Sequence, residues 1–122
     1  MRLELAWPFI LHDNHRLMPI LRGRRAVLIT APDYRAAKAQ AELRFRAQWR
    51  VPMLEGDVAL VARVWFPDRR KRDAGNYRKL LTDALTGIAY SDDSQLVRET
   101  WERAGIDRES PRVELEIVEV AS

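Results

Sequence analysis

Three acidic residues and one lysine in the second half of the chain have types and spacing that suit metal-assisted chemistry. Asp73 directly follows four consecutive basic residues, and Asp92 and Asp93 come later, in the sequence YSDDSQ. Hard divalent cations such as Mg²⁺ bind carboxylate oxygens and water, so acidic groups from separate parts of the chain could form a site if the fold gathers them. Lys79 could then hold a phosphate or stabilise developing negative charge.

Each of these residues also has a structural interpretation that requires no chemistry. Asp73 lies where a helix N-cap is expected, and an aspartate there accepts a hydrogen bond from a backbone N–H two or three residues later. Lys79 and Asp83 have the i,i+4 spacing of an ion pair on a helix surface. Two adjacent aspartates in a loop are more commonly part of a turn than metal ligands. The sequence leaves these alternatives open.

Positive charge is concentrated in the stretch RRKRDAGNYRK, residues 69–79. It contains six Lys and Arg against one Asp, whereas the whole chain of 122 residues has a formal net charge of only +3. Such a stretch indicates either an anionic partner, of which nucleic acid is the commonest, or a solvated charged loop. If the partner is nucleic acid, we expect the contacts to come from Arg69, Arg70, Lys71, Arg72, Asn76 and Arg78.

Other kinds of metal site and a membrane location find little support in the sequence. The chain has no cysteine, which excludes thiolate metal sites and disulfides. His12 and His15 look like a metal pair, but they occupy a proline-flanked segment with no helix to align them, so we expect no zinc site there. The opening MRLELAWPFIL is too short for a membrane span and is unlike a signal peptide, which predicts a cytoplasmic protein without membrane contact.

The hydrophobic periodicity of the sequence predicts the helices and strands that must position these candidate site residues. Helical spacing of apolar residues predicts two amphipathic helices, at residues 33–49 and 77–88. Alternating apolar residues predict strands, and the segment 58–65 is apolar on both faces and therefore central in a sheet. The predicted strands are residues 2–7, 26–30, 58–65, 96–103 and 112–120.

The remaining long segment, residues 8–23, lacks a sustained period. It contains Pro8, Pro19 and Gly23, so we expect a long loop. The resulting order predicts an α/β or α+β fold, in which a single mixed β-sheet carries two main helices packed on it. The length of the chain fits one domain that spans residues 1–122.

Residues 66–97 resemble a known nuclease family. The sequence FPDRRKRDAGNYRKLLTDAL followed by YSDDSQLV is similar to the RusA family of Holliday junction resolvases. That family has a basic run, then DxDN, a lysine, DAL and a DD(S/A)Q loop. The resemblance implies a RusA-like fold and a homodimeric, Mg²⁺-dependent endonuclease that makes paired nicks in four-way DNA junctions during recombination and repair. Mn²⁺ is expected to be able to replace Mg²⁺.

The resemblance also implies roles for individual residues. Asp73 matches the first catalytic carboxylate of the family, Asp93 matches the last, and Lys79 matches the catalytic lysine. Asp92 is expected to join Asp73 and Asp93 as a metal ligand, and Asn76 also occupies a recurrent family position. In this mechanism the metal activates water and stabilises the leaving oxygen, while the basic stretch binds the DNA phosphates.

One position departs from the family pattern. Gly75 stands where the second aspartate of DxDN is usual, and glycine offers no metal ligand. Asp92 or Asp68 could take its place. Two further hypotheses therefore stand beside an active nuclease. One is a branched-DNA-binding protein of the same fold with impaired catalysis, and the other is a basic RNA-binding domain in which Asp73 is only a helix cap.

Overall fold

The computed structural model of the chain describes residues 1–7 and 17–121. Short 3₁₀ turns, Ala74–Tyr77 and Asp93–Gln95, come directly before the second helix and the fifth strand respectively. In chain order the main elements are β1 Arg2–Ala6, β2 Leu17–Arg22, β3 Arg25–Thr30, α1 Pro32–Gln48, β4 Val58–Phe66, α2 Arg78–Leu85, β5 Leu96–Ile106 and β6 Arg112–Glu119.

The main sheet is mixed and has four strands in the order β1-β6-β4-β5. β6 pairs antiparallel with both β1 and β4, whereas β4 and β5 are parallel. A parallel pair requires a crossover connection, and α2 lies in the crossover between these two strands. β4 is central, as its apolar sequence predicts, and its residues Val58, Leu60, Ala62, Val64 and Phe66 are buried.

Both predicted helices are present and contribute to the core. In α1, Tyr34, Ala41 and Phe45 form the predicted apolar face and are buried. α2 is shorter than predicted, because the segment begins as a 3₁₀ turn and the helix ends at Leu85. Gly87 follows with φ of 89°, and its N–H donates to the Tyr90 carbonyl at 2.7 Å, which closes a turn that no helix could continue.

The prediction of a long loop over residues 8–23 is wrong for the part that the structure describes, because residues 17–22 form β2. β2 and β3 pair antiparallel as a separate two-stranded sheet, with Pro19 opposite Leu28. In a two-stranded sheet every strand is an edge, so a proline need not break the ladder. The mixed α+β class is therefore confirmed, whereas a single sheet is not. Residues 8–16, including His12 and His15, lie outside the described residues.

Candidate functional site

The basic loop between β4 and the Asp73 turn is folded around one carboxylate, that of Asp68. Asp68 Oδ1 accepts a hydrogen bond from the Arg70 backbone N–H at 2.9 Å. The two Asp68 oxygens also accept from the Arg72 guanidinium at 2.6 and 3.2 Å. These bonds, that of Arg72 first, lower the pKa of Asp68 from 3.8 to about 2. Asp68 is therefore ionised at neutral pH and offsets part of the positive charge of the loop.

The four consecutive cations of this loop have different environments. The Arg72 side chain is only 15% exposed. Its guanidinium carbon lies 5.5 Å from the ring centroids of both Trp7 and Phe66, which is within cation–π range. The other three cations, at positions 69–71, are exposed, and the Arg70 side chain is 82% exposed. One cation therefore anchors the loop and three face solvent.

Asp73 caps the 3₁₀ turn that follows the loop. Its Oδ1 accepts a hydrogen bond from the Gly75 N–H at 3.1 Å, and its carbonyl accepts from the Asn76 N–H at 3.1 Å. The predicted capping interaction is thus present, on an exposed residue. A Cβ added at Gly75 would lie 3.6 Å from Asp73 Oδ1, an ordinary contact distance, and Gly75 does not have a positive φ. An aspartate at position 75 would therefore fit and would place a second carboxylate beside the first.

The first residue of α2 lies near the start of the parallel strands. Arg78 donates two hydrogen bonds to the Glu99 carboxylate, at 2.6 and 2.8 Å. Glu99 is the register partner of Leu60, near the start of β4. The chain therefore runs back along the sheet between Phe66 and Arg78. The Glu99 carboxylate first, and then the charge of Asp93, raise the pKa of Arg78.

Lys79 forms an ion pair with Asp83, as the i,i+4 spacing of the two residues predicted. Lys79 Nζ lies 3.0 Å from Asp83 Oδ1, and the Tyr34 hydroxyl donates to Asp83 Oδ2 at 2.8 Å. Asp83 is therefore held between a helical neighbour and a residue of α1. These contacts fix the position of the Lys79 ammonium, whose side chain is 36% exposed.

The acidic loop at residues 91–95 is organised by Gln95. Its Oε1 accepts from the backbone N–H groups of Ser91 and Asp92, and its Nε2 donates to the carbonyls of Leu54 and Gly56. Asp92 accepts from the Ser94 N–H at 3.0 Å, which completes a capping box with Gln95 and lowers the pKa of Asp92. The loop is thus fixed to the chain segment that precedes β4.

Three carboxylates lie around one open cleft of about 410 Å³, whose lining is Lys38, Asp83, Thr86, Ser91, Asp92 and Asp93. Asp73 is not one of these lining residues. Within residues 1–7 and 17–121, no three His, Asp or Glu side chains are gathered closely enough to hold a metal ion. Mg²⁺ is commonly held by one or two carboxylates together with substrate phosphates. A divalent ion at these carboxylates would therefore need further ligands from bound phosphates or water.

Two residues that position the site were not singled out from the sequence. Gln95 had a local signal, because an acidic residue followed three positions later by Gln is a capping-box pattern. Glu99 had none, since it meets Arg78 only through the pairing of β4 with β5. Glu99 also accepts from the Trp101 indole N–H at 3.1 Å, and Arg78 and then Trp101 hold its pKa below its usual value.

These features define a small α+β protein that presents an exposed cationic loop directly before a capped carboxylate, as expected of a protein that acts on a phosphodiester backbone. Comparison with known families matches residues 15–118 to Endodeoxyribonuclease RusA. The chain therefore belongs to the RusA family of endodeoxyribonucleases, whose members act on Holliday junctions.

No curated protein matches this chain at a significant level. None of the helices in the described part of the chain has the length and apolar character needed to cross a membrane.

Proposed function

We propose that this chain is a structure-selective endonuclease that binds four-way DNA junctions and makes paired nicks in the presence of Mg²⁺ or Mn²⁺. The observation that supports this most directly is the adjacency of the exposed cations at positions 69–71 to the capped carboxylate of Asp73. A phosphate bound by the loop would lie close to that carboxylate. Two nicks on opposite strands of a symmetric junction require two sites, so the active form is a homodimer.

The described contacts suggest a division of labour among the predicted DNA-binding residues. Arg69, Arg70 and Lys71 are exposed and contact phosphates directly. Arg72 and Arg78 are each bound to a carboxylate by two hydrogen bonds, so they position the loop and the start of α2 around the DNA. The half-buried Asn76 lies in the turn between the two groups and contacts the DNA backbone there.

Asp73, Asp92 and Asp93 supply the negative charge that would hold a divalent cation together with the scissile phosphate. Bound there, the ion would activate water and stabilise the leaving oxygen. Hydrogen bonds from backbone N–H groups hold the carboxylates of Asp73 and Asp92 in place before DNA arrives. Lys79, fixed by Asp83, stabilises negative charge on the reacting phosphate.

A second candidate function is junction binding with little cleavage. One observation favours it. Gly75 stands where the family usually has an aspartate, so the chain has one potential metal ligand fewer. The exposed cations of the loop do not depend on Gly75, so binding would survive the loss of catalysis.

The deciding experiment measures binding and Mg²⁺-dependent nicking on a labelled four-way junction, with linear duplex and structured RNA as competitors. The proteins compared are the parent, Gly75→Asp, Gly75→Asn as a control of similar size without the charge, and Asp73→Asn. For the nuclease proposal we expect symmetric nicks from the parent, more from Gly75→Asp, and none from Asp73→Asn with junction binding retained.

Tight junction binding with nicking only in Gly75→Asp would favour the binding protein and reject the nuclease. Preference for structured RNA over the junction would reject both. Equal gains from Gly75→Asp and Gly75→Asn would show that position 75 acts through backbone restriction and not through a carboxylate.

A further inference from the structure

The turn between β2 and β3 carries a second concentration of positive charge. Arg22 and Arg25 are opposite each other at the end of the ladder, and Gly23 and Arg24 form the turn between them. Gly23 has φ of 65°, a conformation that a two-residue hairpin turn requires and that glycine adopts without strain. The three arginines are all exposed.

These arginines have no carboxylate partner in the described chain, unlike Arg70, Arg72 and Arg78 near the candidate site. None of the ion pairs formed among residues 1–7 and 17–121 includes Arg22, Arg24 or Arg25. The sequence from 17 to 30 contains no acidic residue at all. Like charges directly opposite each other on a hairpin are destabilising. The arrangement therefore costs stability in the free protein and would be relieved by a bound anion.

The hairpin itself is exposed and pairs with no other strand of the described chain. No residue of β2 or β3 is buried, and the residues Leu21 and Leu28 are 77% and 67% exposed. A two-stranded hairpin alone is marginally stable in water. At about 3.3 Å per residue, six paired residues extend roughly 17 Å from base to tip. The hairpin is thus a ribbon with an apolar stem and a cationic end.

We propose that the β2–β3 hairpin is a second DNA-contacting element, whose tip arginines bind the phosphates of a duplex arm of the junction. This inference rests on the proposed function, because it assumes that the chain binds DNA. The major groove of B-DNA, roughly 12 Å wide, admits a two-stranded β-ribbon. The planar fork of an arginine matches a phosphate with two parallel hydrogen bonds. The exposed leucines of the stem would contact the apolar edges of the groove.

The test combines Arg22→Gln, Arg24→Gln and Arg25→Gln and measures junction affinity over a range of salt concentrations. For every phosphate that an arginine no longer neutralises, the slope of log K against log salt should fall by about 0.9. We therefore expect affinity at low salt to fall roughly tenfold or more, and the slope to become shallower. The corresponding Arg→Lys variant keeps the charge and should keep most of the slope.

A charge-matched control removes three exposed arginines that also have no ion pair in the described chain, through Arg46→Gln, Arg50→Gln and Arg108→Gln. Equal losses in the hairpin variant and this control would mean that only net charge matters, which overturns the inference. Normal binding by the hairpin variant beside a parent that binds would overturn the hairpin inference alone. A parent that binds no DNA would overturn the proposed function together with it.

The oligomeric state of the hairpin variant without DNA separates a DNA contact from a contact between protein copies. Sedimentation should give the same state as the parent, and the thermal unfolding temperature should be equal or slightly higher, because opposed like charges are removed. Loss of self-association in the variant would show that the hairpin binds a second copy of the chain and would overturn the DNA assignment.

Discussion

Two arginine-rich regions of this protein differ in how their charges are held. In the basic loop, residues 68–72, Asp68 accepts hydrogen bonds from the Arg70 backbone N–H and the Arg72 guanidinium, and that guanidinium packs against Trp7 and Phe66. At the hairpin tip, residues 22–25, three arginines have neither a carboxylate nor a ring contact among the described residues. The comparison shows that charge density in a sequence does not state how much of the charge is available to a ligand.

The difference suggests separate roles in DNA binding. An arginine that is already ion-paired and packed has lost much of its side-chain entropy, a cost of up to about 2 kcal/mol, before the ligand arrives. Such a residue can hold a neighbouring loop at a defined position. An unpaired, exposed arginine loses that entropy on binding but can adapt to different backbone geometries. We therefore assign precise positioning to the loop and adaptable affinity to the hairpin.

The largest effect that would test this division is on the cleavage rate. We expect the combined change Arg69→Gln, Arg70→Gln and Lys71→Gln to lower nicking at saturating protein by roughly tenfold to a hundredfold, because the scissile phosphate is no longer held near Asp73. The hairpin variant should nick at the parental rate once saturated. Single-turnover nicking of a labelled junction measures both, in the Gly75→Asp background if the parent does not nick.

A smaller effect separates the two regions by stability. We expect Arg72→Ala to lower the free energy of unfolding by about 1–2 kcal/mol, because it removes the cation–π contacts and the packing of the side-chain stem. Arg24→Ala should change it by less than about 0.5 kcal/mol, as for other exposed sites. Urea unfolding followed by tryptophan fluorescence measures both values. Equal losses in the two variants would show that Arg72 is no better anchored than the hairpin arginines.

How far the fold could be predicted depended on whether an element buries one face. α1 and β4 each bury a regular set of apolar residues, and the periodicity of that set located both elements to within a few residues. β2 is exposed on both faces and contains Pro19, so no alternation separates it from a loop. The strand at residues 26–30 was predicted and is present as β3, whereas β2 was missed because neither of its faces is buried.

The site was predictable where its contacts are local. The cap at Asp73 and the pair between Lys79 and Asp83 follow from spacings of two and four residues. The bond between Arg78 and Glu99 joins residues 21 positions apart, so only the parallel pairing of β4 and β5 reveals it. The packing of Arg72 could likewise not be predicted from local spacing, because its guanidinium contacts the rings of Trp7 and Phe66, which are distant from each other in sequence.

The smallest expected effect is on the pH dependence of stability, and it concerns the ion pair between Arg78 and Glu99. Arg78 holds the pKa of Glu99 below its ordinary value of 4.5 in the folded protein. A carboxylate with a depressed pKa contributes stability that is complete above the unfolded value and is lost as the pH falls through the folded value. Glu99→Gln should therefore reduce the loss of stability that occurs as the pH falls from the ordinary value of 4.5 through the lower folded value.

Urea unfolding at a series of pH values measures this dependence, and other carboxylates with lowered pKa, such as Asp68, leave a residual slope in both proteins. Arg25→Gln is the matched change in the hairpin and should leave the parental dependence intact, since no described carboxylate pairs with that residue. If Arg25→Gln flattened the acid side as much as Glu99→Gln, the hairpin arginines would have an acidic partner in the folded protein. The tip would then be anchored like the loop, and the contrast between the two regions would fail.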